Sequence, residues 1–587
     1  MPLLTDLSDI FGDAFAKAGV DASHGAVVTS QRPDLAQFQC NGALGAAKQA
    51  GRNPRELAEA VLEAISDREP FKELSIAGPG FINIDLTDKY LAAQVRSVQA
   101  DDRHGVPAPE KKSVIVDYGG PNVAKELHVG HLRPAIIGES VKRIFRFAGH
   151  DVAGDVHLGD WGLPMGQLIA EMKHRDPDLV YFDPDHTGPY PQESPVDVAH
   201  LNEMYPVAAA AATEDPERKS EAQQATAELQ AGRPGYRALW EHFRRVSIEA
   251  MREVYDTLGV HFELWNGEAS VHDRIEPMVA RLRANGVAVE SDGALVIVVD
   301  DPDENREIPP LMLVNSRGAF TYGTSDLATV EERVVDAKAD EVIYVVDARQ
   351  GLHFEQIFRA ARKSGIAPQS VILEHAPNGT VNGPGGTPLK TREGNLPLLR
   401  DLINDATAAA ADRLAENDLA SEYDEIERAD IASKVGMAAL KYGDLQNHRS
   451  SDYIFDLDRF SAFEGKTGPY LLYGAVRMKS ILREAADRGL QLGTVLPPKV
   501  DQSRNLMLAL LRFPDVFDRA LRHRAPNHLA EYGYELVAEF SRFYEACHIL
   551  RERDPARQAS WLSMVELTLA TLGTVLELLG IESPERM

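Results

Sequence analysis

The chain has 587 residues, 44% of them hydrophobic and 26% charged, which are the values of a folded globular protein rather than a disordered or fibrous one. That length exceeds what one hydrophobic core supports, so three or four domains are expected. The two cysteines, Cys40 and Cys547, exclude a disulfide framework and a multi-cysteine zinc site, and the net charge of -28 weighs against a broadly basic nucleic-acid surface while leaving room for local basic patches.

The first twenty residues have no basic stretch followed by an apolar core, and no window approaches the roughly 20 apolar residues of a membrane span, so a cytoplasmic protein is expected. Residues 1 to about 110 read as an α+β unit. Asn53 followed by Pro54, with Leu57, Ala58 and Val61 at helical spacing, predicts a capped amphipathic helix. Ala77-Gly78-Pro79-Gly80 predicts a turn into an alternating strand over 81–86. The polar, proline-containing stretch 102–112 suits a linker. From 111 to about 400, β-branched runs at 113–117, 341–347 and 370–373 alternate with helical patterns, which is the signature of a Rossmann-like parallel sheet. Two insertions interrupt it, at about 183–235 and 265–312, and the first reads as a peripheral helical elaboration whose alanine tract at 208–212 is helix. From 401 to 587 helical periodicity dominates, as over 431–441, and predicts an all-α domain.

His128-Val129-Gly130-His131 follows the first strand of the α/β region and precedes a helix-like run from Leu132. A strand, a tight turn and a helix N-terminus form a ready anion site, because the first helical N–H groups are unpaired and the dipole favours negative charge. Glycine permits close approach of a ligand, and the imidazoles supply further donors. Taken alone, the turn is equally compatible with His128 as a cap and His131 as an ordinary first-turn residue. A glycine-rich loop at 383–395 carries Lys390 and Arg392, which could close over a polyphosphate; by itself it reads more readily as a solvated surface loop.

The segment 121–133, Pro-Asn-Val-Ala-Lys-Glu-Leu-His-Val-Gly-His-Leu-Arg, resembles the signature of the class I aminoacyl-tRNA synthetases and, within them, of the arginyl-tRNA synthetases. His157-Leu158-Gly159-Asp160-Trp161-Gly162, the block 321–328 and the block 350–356 resemble three further family motifs in the expected order. Residues 389–394 resemble the arginyl version of the KMSK loop, and 442–455, 463–473, 534–550 and 579–587 resemble the family's anticodon-binding helices. Residues 39–43 resemble its N-terminal domain, so the likeness spans nearly the whole chain.

The resemblance implies formation of arginyl-adenylate from arginine and ATP, followed by transfer to tRNA(Arg). It implies His128, His131, Lys125, Lys390 and Arg392 as the catalytic set. Asp117 and Asp326 would receive the guanidinium beside Tyr322, Asn122 and Gln350 would hold the α-amino group, and His128 would touch the carboxylate. Gly130, His131, His353, Phe354 and Thr391 would meet ATP, with Mg2+ accompanying it and no zinc or other resident metal. Paired carboxylates suit a planar guanidinium with five donors. Phe38, Gln39, Asn41, Tyr470 and Arg477 are candidate tRNA contacts, joined by the basic runs 477–483 and 519–524. A monomer away from membranes is expected. Thr391 stands where the KMSK loop has its second lysine, for which Lys125 would substitute, and Gly119-Gly120 replaces the family's small hydroxyl residues. Alternative readings are another class I synthetase or an RNA-binding relative without catalysis.

Overall fold

The computed structural model describes every residue except 1–2, 31, 33–34, 301–303, 305, 388, 390–395, 418 and 420–421. The chain begins with α1 (Leu3–Lys17), then β1 (Val27–Thr29), β2 (Phe38–Cys40), α2 (Gly42–Ala50), α3 (Pro54–Ala64), β3 (Phe71–Ala77), β4 (Phe81–Leu86) and α4 (Asp88–Gln99). The helix expected after Asn53 forms as read. The Asn53 side chain accepts from the N–H groups of Arg55 and Glu56, Pro54 opens α3, and Leu57, Ala58 and Val61 are buried. The strands form an antiparallel sheet in the order β1-β2-β4-β3. Alternation along β2 sends Phe38 and Cys40 into the core and Gln39 to the other face.

The central sheet comprises β5 (Ser113–Tyr118), β6 (Asp151–Asp155), β10 (Glu341–Val345) and β11 (Ile372–His375), all parallel, in the order β11-β10-β5-β6. The chain runs outward from β5 to β6 and later returns to place β10 on the other side of β5. Open parallel sheets hold ligands beyond the carboxyl ends of their strands at such a reversal. Between β5 and β6 runs α5 (Leu132–Ala148), and α6 (Leu163–Arg175) follows β6.

The first insertion supplies α7 (Val198–Glu214), α8 (Pro216–Gln230) and the start of α9 (Pro234–Thr257). The second supplies α10 (His272–Ala284) and a small antiparallel sheet of β7 (Val289–Ser291), β8 (Ala294–Ile297) and β9 (Leu311–Val314). Then come α11 (Tyr322–Glu331) and α12 (Gly351–Lys363). The first insertion is less peripheral than its composition implies. The Asn202 side chain accepts from the Glu126 N–H, and Lys125 Nζ lies 4.3 Å from the Tyr205 ring centroid, so α7 grips the segment leading into the histidine turn.

From residue 399 onward the chain is helical apart from β13 (Tyr453–Ile454), which pairs in parallel with β12 (Val381–Asn382). Its helices are α13 (Leu399–Glu416), α14 (Glu425–Leu445), α15 (Leu457–Phe460), α16 (Gly468–Asp487), α17 (Asp501–Leu511), α18 (Phe513–His523), α19 (Asn527–Ala546) and α20 (Pro555–Leu578). The expectation that no segment reaches membrane-spanning length and apolarity is corrected by α20, a helix of 24 residues apolar enough to do so. It is the core helix of this part of the molecule: Trp561, Leu562, Met564, Val565, Leu572 and Val575 are buried.

Candidate active site

A cleft of about 720 Å³ opens beyond the carboxyl ends of β5 and β10. Its walls bring together Asp117, the turn His128–His131, Tyr322, Asp326, Gln350, His353 and Phe354, residues drawn from four segments of the sequence.

The histidine turn is built by its own backbone. His128 Nδ1 accepts from the Gly130 N–H at 3.0 Å, and His131 Nδ1 accepts from the His128 N–H at 3.1 Å. A backbone N–H can only donate, so both Nδ1 atoms are bare and both Nε2 atoms carry the proton. Burial lowers the pKa of both rings, aided by Lys125 at His128 and by His128 at His131, the latter falling to about 3. Two neutral imidazoles, centroids 4.1 Å apart, therefore present N–H donors without charge. The Val129 N–H donates to Pro397 O and the Leu399 N–H to Leu127 O, tying the turn to the chain leaving the glycine-rich loop. Lys390, Thr391 and Arg392 lie outside the described residues.

The opposite wall is acidic. Asp326 accepts from His353 Nε2 at 2.5 Å, a bond that raises the pKa of His353. Asp117 is buried, and its Oδ2 accepts from Arg333 Nη2 at 2.6 Å. Burial pushes the Asp117 carboxyl above its ordinary value, with Arg333 and then His157 pulling the other way. Sequence reasoning passed over Glu268, which the second insertion delivers to the same wall. Burial, then the charge of Asp326, raises its pKa to about 7. Tyr322, largely exposed, completes this wall; burial and then Glu268 raise its hydroxyl pKa. Nothing in the pattern around Gly267 marked Glu268, because it lies in an irregular insertion outside every motif. Phe354 packs on His375 with centroids 5.3 Å apart and rings 26° from parallel, placing an apolar floor beside His353.

Other expected residues lie elsewhere. Asn122 is not among the cleft-lining residues; it is bridged to Gly159, whose missing side chain leaves room for the Asn122 amide. Lys125 sits behind the turn on Tyr205 rather than on the cleft wall. Phe38 is 4% exposed in the N-terminal core, which corrects its assignment as a base-stacking residue. Gln39 Nε2 donates to Asn83, and Asn41 is exposed. Tyr470 faces Tyr534 at 5.4 Å, and Arg477 lies 4.3 Å from the Tyr544 ring. The basic run 519–524 is also corrected in part, because Arg524 turns inward to Glu341 and Glu374. Asp117, Asp155 and His157 bring ligand-type atoms within 4.8 Å of one another, but the cation held between the two carboxylates is Arg333.

A parallel sheet with a histidine turn at its reversal point, fused to a helical domain, is the architecture of a class I aminoacyl-tRNA synthetase. Residues 94–457 match the catalytic domain of the class I tRNA synthetases (R), 471–587 the DALR anticodon binding domain and 5–86 the arginyl tRNA synthetase N-terminal domain. Arginine–tRNA ligases from Alkaliphilus oremlandii and Maricaulis maris are each 48% identical, with 100% of both chains covered. Arginyl-tRNA synthetase from Plasmodium falciparum superposes with a TM-score of 0.81 at 25% identity, covering 100% of this chain and 99% of that one. The Thermus thermophilus enzyme, at 22% identity and a TM-score of 0.80, shares the fold. The chain belongs to the arginyl-tRNA synthetase family: it is an ATP-dependent ligase whose substrates are arginine, ATP and tRNA(Arg).

Proposed function

We propose that arginyl-adenylate forms between the two walls of this cleft, with neutral donors on the nucleotide and carboxylates on the guanidinium. The observation that supports the division is that two uncharged Nε2–H donors and three carboxyl groups, Asp117, Asp326 and Glu268, line one cleft. The arginine carboxylate attacks the α-phosphorus of ATP, the bond to pyrophosphate breaks, and charge grows on the phosphate oxygens. Positioned donors lower that barrier more than a protein nucleophile would. His128 and His131 fill this role, and Gly130 leaves room for the adenosine beside His353, Phe354 and Thr391. Lys390 and Arg392 neutralise the departing pyrophosphate, supported from behind the turn by Lys125. Asp117 and Asp326 accept the guanidinium next to Tyr322, while Gln350 holds the α-amino group and Asn122, bridged to Gly159, supports that end of the cleft from behind. In the second step a hydroxyl of the tRNA terminal ribose attacks the arginyl carbonyl and AMP leaves.

Mg2+ would accompany ATP and supply charge neutralisation at its phosphates; with Arg333 held between Asp117 and Asp155, the protein adds no open acidic cage there among the described residues. Zinc is given no role in this scheme: the chain has two cysteines, Cys40 on β2 and Cys547 after α19, too few for a multi-cysteine site. We assign tRNA contact to Gln39 and Asn41 on the N-terminal unit and to Tyr470 and Arg477 on the helical one, with divisions near 110 and 400, in a cytoplasmic monomer. His131→Ala tests the donor role. Steady-state charging of tRNA should show kcat reduced about 100-fold or more with the arginine KM little changed. A raised arginine KM at unchanged kcat would contradict the assignment.

A further inference from the structure

Asp117 and Asp155 stand at matched register at the carboxyl ends of the neighbouring parallel strands β5 and β6. Two buried like charges so placed repel each other and lack water to screen them. Arg333 resolves the conflict. Its Nη2 donates to Asp117 Oδ2 and to Asp155 Oδ2, both at 2.6 Å, and its guanidinium carbon lies 5.2 Å from the Tyr344 ring centroid. The side chain is buried, and Arg333 does not line the cleft that Asp117 lines. It is delivered by a π-helical turn, Glu332–Asp336, that continues α11, the helix bearing Tyr322 and Asp326 at its other end. Such turns are rare and occur frequently at functional sites.

We propose that Arg333 is a positioning residue for amino-acid selection: an internal guanidinium that occupies Oδ2 of Asp117 from the protein side and leaves Oδ1 to the guanidinium of the substrate. The proposal rests on the reading of Asp117 as an acceptor for arginine. Arg333 anchors the carboxylate through one oxygen, which restricts its rotation, and offsets one of the two paired negative charges. It also favours the ionised form of Asp117, which burial disfavours. The groups facing Asp117 are Asp155 and His157 from β6 and its following loop, Arg333 from the π turn and Tyr344 from β10; Glu332 acts on Arg333 and Asp155 from the same turn.

The test compares Arg333→Gln, Arg333→Lys and Asp117→Asn by tRNA charging across the acid and neutral range, with thermal unfolding as the control for folding. Arg333→Gln is expected to raise the arginine KM about tenfold or more while the ATP KM holds within about twofold. The acid limb of kcat/KM for arginine should move to higher pH, since an Asp117 without its cation is protonated sooner as pH falls. Arg333→Lys restores a charge on a shorter, single-nitrogen side chain and should recover part of the KM and of the pH shift; it also carries the test if the glutamine variant does not fold. A parental arginine KM and pH profile in Arg333→Gln, beside a damaged Asp117→Asn, would overturn the positioning role while leaving Asp117 as the acceptor. A parental arginine KM in Asp117→Asn would instead overturn the reading of Asp117. Equal losses for arginine and ATP in both Arg333 variants would reduce Arg333 to a structural residue.

Discussion

At the residue scale, the site works through the protonation states that its geometry enforces. The bare Nδ1 atoms of His128 and His131 follow from accepting backbone N–H groups, and burial keeps both rings neutral, so imidazolium at His131 should not shape the neutral pH profile. Glu268 should. With a pKa of about 7 in the free enzyme, it must lose a proton before it can pair with a guanidinium, so arginine binding should strengthen as pH rises through neutrality and weaken below it. Measuring the arginine KM against pH for Glu268→Gln checks this: the variant should bind arginine more weakly at alkaline pH and lose the neutral transition. An unchanged transition would assign it to another group. His353 belongs to the same balance, because it hydrogen-bonds the Asp326 carboxylate that the incoming guanidinium must engage.

At the scale of elements, what was legible in the sequence followed local physics. The cap at Asn53, the strand expected over 113–117 and found over 113–118, and the turn into Leu132 are set by neighbours within a few residues, and they formed as expected. Long-range placement was not legible. Phe38 alternates as a strand residue should, but only the sheet order β1-β2-β4-β3 decides that its face is the core. Glu268 reaches the cleft because an insertion folds back over the sheet, and α7 reaches the histidine turn for the same reason; neither leaves a periodic trace. The α7 contact has a measurable consequence. Removing the Tyr205 ring with Tyr205→Leu gives up a partly exposed cation–π contact worth about 0.5–1 kcal/mol. It should lower kcat a few-fold at an unchanged tRNA KM, read from steady-state charging; an unaltered kcat would separate Lys125 from the chemistry.

At the scale of the whole molecule, the histidine turn is joined to the helical region by buried charge. Arg133, two residues after His131, is 1% exposed; its Nε donates to Asp444 Oδ1 at 3.4 Å, and its other nitrogens donate to Ser451 O and His448 O. Arg524 similarly links α18 to Glu341 and Glu374 on the sheet. Breaking one partner of a buried pair leaves an uncompensated charge, so Arg133→Met should cost about 3–5 kcal/mol and lower the Tm clearly by calorimetry. A near-parental Tm would mean that Asp444 finds another partner. Such ties join the histidine turn, where the proposal places ATP, to the helical region through contacts rather than through the chain alone. The motif blocks in chain order made the family legible from the sequence, but the linkage itself was not, because Arg133 and Asp444 are 311 positions apart.

The central claim is that one wall of the cleft selects arginine while the other handles ATP. Asp326→Asn tests it most directly, because the amide oxygen can still accept from His353 and keep that ring in place while the charge is removed. Kinetics of tRNA charging with arginine and ATP varied in turn should show the arginine KM raised about 100-fold with the ATP KM within about threefold of the parent. Equal loss of both, or loss of ATP alone, would contradict the division of the cleft.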